Sequence, residues 1–179
     1  MTRYGAILAD PPWAFRTYSG KHVTAHRCAE DHYQTMPLRH LQRIPVQTKW
    51  AAEDCALFLW VVDSHLDAGL DLIQDWGFDY KTIAFVWVKT TKAGVPRIGM
   101  GYWTRKSVEL CLLGTRGKPR RLSKGVRQVI MEPRREHSRK PDEVRRRIEQ
   151  LVAGPYLEMF ARERQPGWDA WGDEVGKFA

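Results

Sequence analysis

The chain's 179 residues carry 29 Lys and Arg against 21 Asp and Glu, a formal charge of +8, with 43% hydrophobic residues. That supplies enough apolar material for one full core, while the longest apolar run, Cys55 to Val62, is far below the roughly 18 residues of a membrane span. With no low-complexity tract or linker, the expectation is a single domain over residues 1–179 with no membrane partner. The three separated cysteines, Cys28, Cys55 and Cys111, argue against a disulfide framework, and no apolar leader opens the chain, so the expected location is cytoplasmic.

In chain order, Tyr4–Ala9 reads as a strand, the stretch to about Met36 as a long loop, and Pro37–Arg43 as a short helix. Ala56–Val62 is a continuous apolar strand of the kind covered on both faces. A helix follows from His65 to Trp76, with Ser64 and Asp67 as a capping box, Leu66, Leu70 and Ile73 on one face, and Gly77 as the stop. Thr82–Val88, Val108–Gly114 and Gln128–Met131 read as strands. A helix then starts at Pro141, with Val144, Ile148, Leu151 and Val152 as its apolar stripe and Gly154-Pro155 ending it, before strand Tyr156–Phe160. Strands alternating with helices predict an α/β fold with a mostly parallel sheet, helices on both faces and ligands beyond the strands' carboxyl ends.

The chemistry concentrates at Asp10-Pro11-Pro12-Trp13, directly after the first strand. An aromatic amine is a poor nucleophile because its lone pair is shared with the ring, and acceptors placed on its hydrogens draw it toward tetrahedral geometry. Asp10 supplies a charged acceptor and the Pro11 carbonyl a neutral one; the two prolines stiffen the turn and keep Asp10 out of the helical region. Trp13 offers an aromatic face to a base, or else anchors the turn. No Gly-x-Gly-x-x-Gly and no Walker loop is present, so nicotinamide and nucleoside-triphosphate binding lack a motif. His22, His26, His32 and Cys28 could ligate a metal but follow no standard spacing, and no metal site is expected.

The chain resembles the N6-adenine methyltransferases related to the eukaryotic messenger-RNA adenosine methyltransferase, with their short bacterial and phage members. The landmarks are Ala9-Asp-Pro-Pro-Trp13, Leu57-Phe-Leu-Trp60, Val86-Trp-Val-Lys89, Trp103-Thr-Arg105, Glu109-Leu-Cys-Leu-Leu-Gly114, Arg139-Lys-Pro-Asp-Glu143, Leu157-Glu-Met-Phe-Ala-Arg162 and Trp171-Gly-Asp-Glu174. The resemblance implies a Rossmann-like, S-adenosylmethionine-dependent methyltransferase fold in permuted order, catalytic segment first and cofactor segment last. It implies Asp10, Pro11, Pro12 and Trp13 as the catalytic set. Cofactor contacts would come from Asp10, Lys140, Glu158, Phe160, Arg162, Asp173 and Glu174. The target base would meet Trp13, Tyr33, Arg105, Glu109 and Lys140. Asp173 stands where relatives usually carry asparagine, and a carboxylate there accepts hydrogen bonds from ribose hydroxyls but donates none.

The implied reaction is methyl transfer to the N6 amine of adenine in nucleic acid, DNA in preference to RNA. The rivals are RNA adenine methylation, cytosine N4 methylation, and a catalytically silent nucleic-acid-binding subunit. A homo- or heterodimer stays open. Basic residues cluster at Arg116 to Arg127 and Arg134 to Arg147, the footprint either of a polyanion site or of a solvated surface; Arg145, Arg146 and Arg147 read equally as the wet face of a helix. Lys140 at a helix start opposes the macrodipole, so an anion should lie near it, whether a ligand or Asp142 and Glu143.

Overall fold

The computed structural model describes residues 2–14, 35–99, 101, 103–136 and 139–177. Seven strands form one sheet: β1 (Tyr4–Ala9), β2 (Ala51–Val61), β3 (Asp79–Thr90), β4 (Val108–Arg116), β5 (Val129–Pro133), β6 (Tyr156–Met159) and β7 (Trp168–Trp171). The spatial order is β5-β3-β4-β2-β1-β6-β7. β4 runs antiparallel to both β2 and β3, and every other pairing is parallel.

The unbroken apolar run of β2 follows from its place between β1 and β4, where Cys55 to Val61 are all buried. One core layer joins Ile7, Ala9, Leu57, Leu59 and Val61 to Leu72 and Ile73 of helix α3 (Leu66–Asp75) and to Trp76 just past its end. The short helices α1 (Leu38–Gln42) and α2 (Val46–Lys49) add Leu41 and Val46 to that layer. The other layer joins Ala6, Leu8, Phe58, Trp60, Phe85 and Trp87 to Val144 and Ile148 of helix α4 (Glu143–Leu151). Alternate residues of β1 and β2 thus serve opposite faces, and the mostly parallel α/β sheet carries helices on both. Each fully buried Leu or Phe contributes about 1.5–3 kcal/mol. Gly69 lets α3 lie close to the sheet, since a Cβ there would sit 2.4 Å from Val61 Cγ1.

Beside this agreement stand three differences. α2 and β7 are extra elements: Val46–Lys49 completes only one turn, and Trp168–Trp171 is an edge strand whose indoles mask its period. The capping box is absent. Ser64 lies in a 3₁₀ turn over Asp63–His65 with its hydroxyl on His65 Nδ1 at 3.0 Å, and Asp67 accepts the N–H of Ala68 at 2.8 Å, so the extra turn displaces the start of α3 past Ser64. β2 and β3 also run longer than their apolar stretches, because pairing continues into polar ends.

The order of strands fixes where a ligand can sit. From β1 the chain builds outward through β2 on one side and returns for β6 and β7 on the other, so the direction of building reverses between β1 and β6. In open α/β sheets, crevices form beyond the carboxyl ends at such a switch point. Asp10 lies there, its N–H on the Met159 carbonyl at 3.4 Å.

Candidate active site

β1 ends because Pro11 and Pro12 cannot continue a ladder. The Pro11 carbonyl accepts the Trp13 N–H at 2.9 Å in a tight turn, and the Pro12 carbonyl accepts the Met36 N–H at 2.7 Å. A carbonyl oxygen has two lone pairs, so the Pro11 oxygen retains capacity for a second donor. Trp13 is 5% exposed, with its indole N–H donated to the Trp60 carbonyl at 3.1 Å and its ring centroid 5.8 Å from that of His65. Of the two readings of Trp13, this geometry is that of the anchor: the ring is packed inside the core layer rather than held out as a platform for a base.

Asp10 projects toward Lys140, whose ammonium lies 2.8 Å from Asp10 Oδ2 and 3.3 Å from Glu109 Oε2. Glu109 also pairs with Lys89, completing a chain of alternating charge across the ends of β1, β4 and β3. The Lys140 ammonium rests 5.6 Å from the centre of the Trp60 ring. Burial opposes the charge on Lys140, but the Asp10 and Glu109 carboxylates outweigh it and raise the pKa above the ordinary lysine value. Burial likewise opposes ionisation of Glu109, and Lys140 followed by Lys89 reverses that, holding the carboxyl below the usual carboxylate range.

The anion required beside Lys140 is therefore Asp10 with Glu109. Asp142 and Glu143 are committed elsewhere: Asp142 to Arg135 and Arg145 at 2.7 Å each, Glu143 to Arg146 and Arg147 at 2.6 and 2.8 Å. Arg135 also donates to the Lys140 carbonyl, which stiffens the turn that presents the ammonium.

A small cleft of about 30 Å³ opens beside Asp10 and Lys140, lined by Arg139, Arg145, Glu158, Phe160, Arg162 and Glu163. The Glu158 carboxylate is gripped by Arg145 through Nε at 2.7 Å and Nη2 at 3.0 Å, and Arg145 also reaches Glu163 at 3.1 Å. Arg139 clasps Glu163 from the other side. Burial disfavours the Arg145 guanidinium, yet Glu158, Glu163 and Asp142 together raise its pKa above the ordinary arginine value. Of the three consecutive arginines, Arg145 and Arg147 are thus sequestered in ion pairs, and only Arg146 presents a wet face.

Phe160 turns the chain at the end of β6 with φ of +59°, an uncommon conformation for an aromatic residue, and its ring meets Trp171 edge-on at 5.4 Å. Glu174, just past β7, pairs with Arg162 at 3.4 Å and with Lys177 at 2.6 Å, while Asp173 beside it is exposed. Arg105 is exposed on the β3–β4 connection. Tyr33, like His22, His26, His32 and Cys28, lies outside the described residues.

The structure thus brings Asp10, Glu109, Lys140, Glu158, Phe160 and Arg162 to one edge of the sheet. It adds Arg145 and Glu163, which sequence reading missed. Arg145 sits one residue past Val144 on the apolar stripe of α4, a position that marked it for the sheet rather than for solvent. Among the described residues, no group of three or more His, Cys, Asp or Glu side chains is arranged to hold a metal ion, and no helix is long and apolar enough to cross a membrane.

Comparison with known proteins agrees with this architecture. The MT-A70 family model matches residues 4–174. The Type II methyltransferase M.MunI of Mycoplasma sp is 32% identical, over 97% of this chain and 78% of that protein. The N(6)-adenosine-methyltransferase MT-A70-like protein of Drosophila melanogaster is 30% identical, and the human N(6)-adenosine-methyltransferase catalytic subunit METTL3 29%, each over 97% of this chain. The chain spans about a quarter of the length of those two eukaryotic relatives, 27% and 28% respectively. An aspartate-diproline turn at a topological switch point, ringed by paired charges and matched by the family model over nearly the whole chain, places the protein: it belongs to the MT-A70 family of methyltransferases.

Proposed function

We propose that this chain transfers a methyl group from S-adenosylmethionine to the N6 amine of adenine in nucleic acid, and that its polymer is DNA. The observation that carries the reading is Asp10 held at the switch point with its carboxylate on Lys140 and a carbonyl-bearing diproline beside it. Asp10 accepts one amine hydrogen in a charge-assisted bond, worth about 1.5–3 kcal/mol when well placed, and the free lone pair of the Pro11 carbonyl takes the other. Both acceptors stabilise positive charge that develops on nitrogen as it attacks, and both are fixed beforehand by the strand end and the prolines. Lys140 orients the carboxylate.

The donor set suits S-adenosylmethionine, which supplies an activated methyl on a sulfonium. Lys140, Arg139 and Arg162 are the cations that would take its carboxylate, Asp10 and Glu158 would take its ammonium, and Asp173 with Glu174 would accept from its ribose hydroxyls. The Trp60 indole N–H adds a buried donor with no acceptor among the described residues, beneath the Lys140 ammonium. The charged groups lining the cleft are engaged with one another in the internal pairs Lys140–Asp10 and Arg145–Glu158.

DNA is preferred because the bacterial relative, a Type II methyltransferase, is matched over most of its length, whereas the adenosine methyltransferases are matched over a quarter. Nucleoside mass spectrometry after incubating the purified chain with S-adenosylmethionine and matched DNA and RNA tests this: N6-methyldeoxyadenosine is expected. N6-methyladenosine would move the reading to RNA, and N4-methyldeoxycytidine would move it to cytosine.

A further inference from the structure

Helix α4 carries a cation at its disfavoured end. Arg145 stands in the first turn, where the helix macrodipole opposes positive charge, and its side chain is turned inward, 12% exposed. All three guanidinium nitrogens are committed. Nε and Nη2 donate to Glu158 at 2.7 and 3.0 Å, Nη1 to Asp142 at 2.7 Å, and Nη2 also to Glu163 at 3.1 Å. Glu158 and Glu163 are themselves only 14% and 8% exposed. Sheet register explains the meeting: Glu158, the penultimate residue of β6, lies level with Leu8 of β1 and Ala170 of β7. Leu8 packs in the layer under α4, so Glu158 points to that same face, at the carboxyl end of the sheet beside Asp10.

Stability alone is a weak reason for this arrangement, because taking paired charges out of water costs about as much as their attraction returns, and well-packed apolar residues often serve a fold as well. What the pair achieves is direction. A guanidinium fork meets a carboxylate through two parallel bonds and so fixes its rotation, which a single lysine bond does not. Each Glu158 oxygen spends one acceptor site on Arg145 and keeps another for a donor in the cleft that both residues line. The pair also maintains charge. Burial pushes the Glu158 carboxyl above its ordinary range; Arg145 opposes that push, while Asp10 and Glu163 add to it. Around the carboxylate stand Arg145 of α4, Asp10 after β1, Arg162 and Glu163 after β6, and Arg139 and Lys140 ahead of α4, while β7 offers Ala170 at that level.

We infer that Arg145 is a positioning residue for the cofactor: it holds Glu158 in the direction and charge state needed to receive the ammonium of S-adenosylmethionine. The inference rests on the cofactor reading proposed above. Arg145 acts through Glu158, since its own nitrogens are occupied by carboxylates. Lys140 stands in the same relation to Asp10 on the neighbouring strand, so each of the two carboxylates facing the cleft has its own cation.

The test is calorimetric titration of S-adenosylmethionine into the full chain from about pH 5 to about pH 8, the range in which a buried, raised carboxyl titrates. The proteins compared are wild type, Arg145→Met, Arg145→Lys, Glu158→Gln, and Arg145→Lys combined with Glu158→Gln. Arg145→Met should weaken binding about tenfold or more at neutral pH, and should move the acid limb of the affinity profile up by about one pH unit, because Glu158 then takes its proton more readily. Arg145→Lys, which keeps the cation but loses the fork, should weaken binding several-fold with the limb close to that of wild type. In the Glu158→Gln background, the same Arg145→Lys change should alter affinity by less than about twofold. Those lysine comparisons stand even where Arg145→Met fails to fold. A uniform loss in Arg145→Met with an unmoved limb, wild-type affinity in Arg145→Lys, or equal losses from Arg145→Lys in both backgrounds would overturn the inference and leave Arg145 a structural residue. Failure of wild type to bind S-adenosylmethionine at any pH would instead bring down the cofactor reading itself, and this inference with it.

Discussion

Lys140 and Asp10, 130 residues apart in the chain, meet as a 2.8 Å ion pair across the gap between β1 and α4. Removing Lys140 would leave the half-buried Asp10 carboxylate without its cation and Glu109 with Lys89 alone. Breaking such a pair by deleting one partner costs about 3–5 kcal/mol. Lys140→Ala should therefore lower both the melting temperature and S-adenosylmethionine affinity, and Lys140→Arg should recover the first more than the second. Calorimetric titration with a thermal melt reads both.

The anchor role of Trp13 makes a different forecast from a stacking role. Trp13→Phe keeps an aromatic face but strips the N–H from the Trp60 carbonyl, leaving a buried acceptor unsatisfied at about 1–3 kcal/mol. Chemical denaturation should show that loss. An unchanged midpoint with a raised KM for nucleic acid would assign Trp13 to the base instead.

These two residues also mark how far sequence alone carries. The strand ending in Asp-Pro-Pro-Trp was legible because prolines stop a ladder, and the α/β alternation was legible because β2 and the α4 stripe have clear apolar patterns. The identity of Lys140's counterions was not, since sheet order decides that β4 brings Glu109 to β1 and no local pattern encodes that order. Periodicity likewise says which way Arg145 faces but not how deep it lies.

Arg145 holds Glu158 and Glu163 together in the cleft. Arg145→Met alone should destabilise by about 3–5 kcal/mol, because Glu158 then loses the guanidinium that grips it while Glu163 keeps only Arg139. Arg145→Met with Glu158→Gln should be milder than the single change. Equal or additive losses in denaturant melts would show that the cluster does not act as a unit.

The Glu109 carboxyl titrates below its usual value of 4.5 in the folded chain, so the unfolded chain binds its proton first as pH falls. Its contribution to stability is complete above pH 4.5 and is lost as pH drops through the lowered folded value. The stability gap between wild type and Glu109→Gln should accordingly be flat near neutrality and shrink below pH 4.5. Urea melts between pH 7 and pH 3 would measure it; a gap that widens on acidification would contradict the assignment.

The central claim is that Asp10 grips the amine that accepts the methyl group. Its most direct test is single-turnover transfer of labelled methyl by Asp10→Ala, with nucleic-acid binding measured on the same preparation. The account predicts a loss of about 10²–10³ or more in rate, the size seen when one preorganised acceptor or donor is removed from a transition state, with affinity for nucleic acid nearly intact. Transfer within a few-fold of wild type would contradict it.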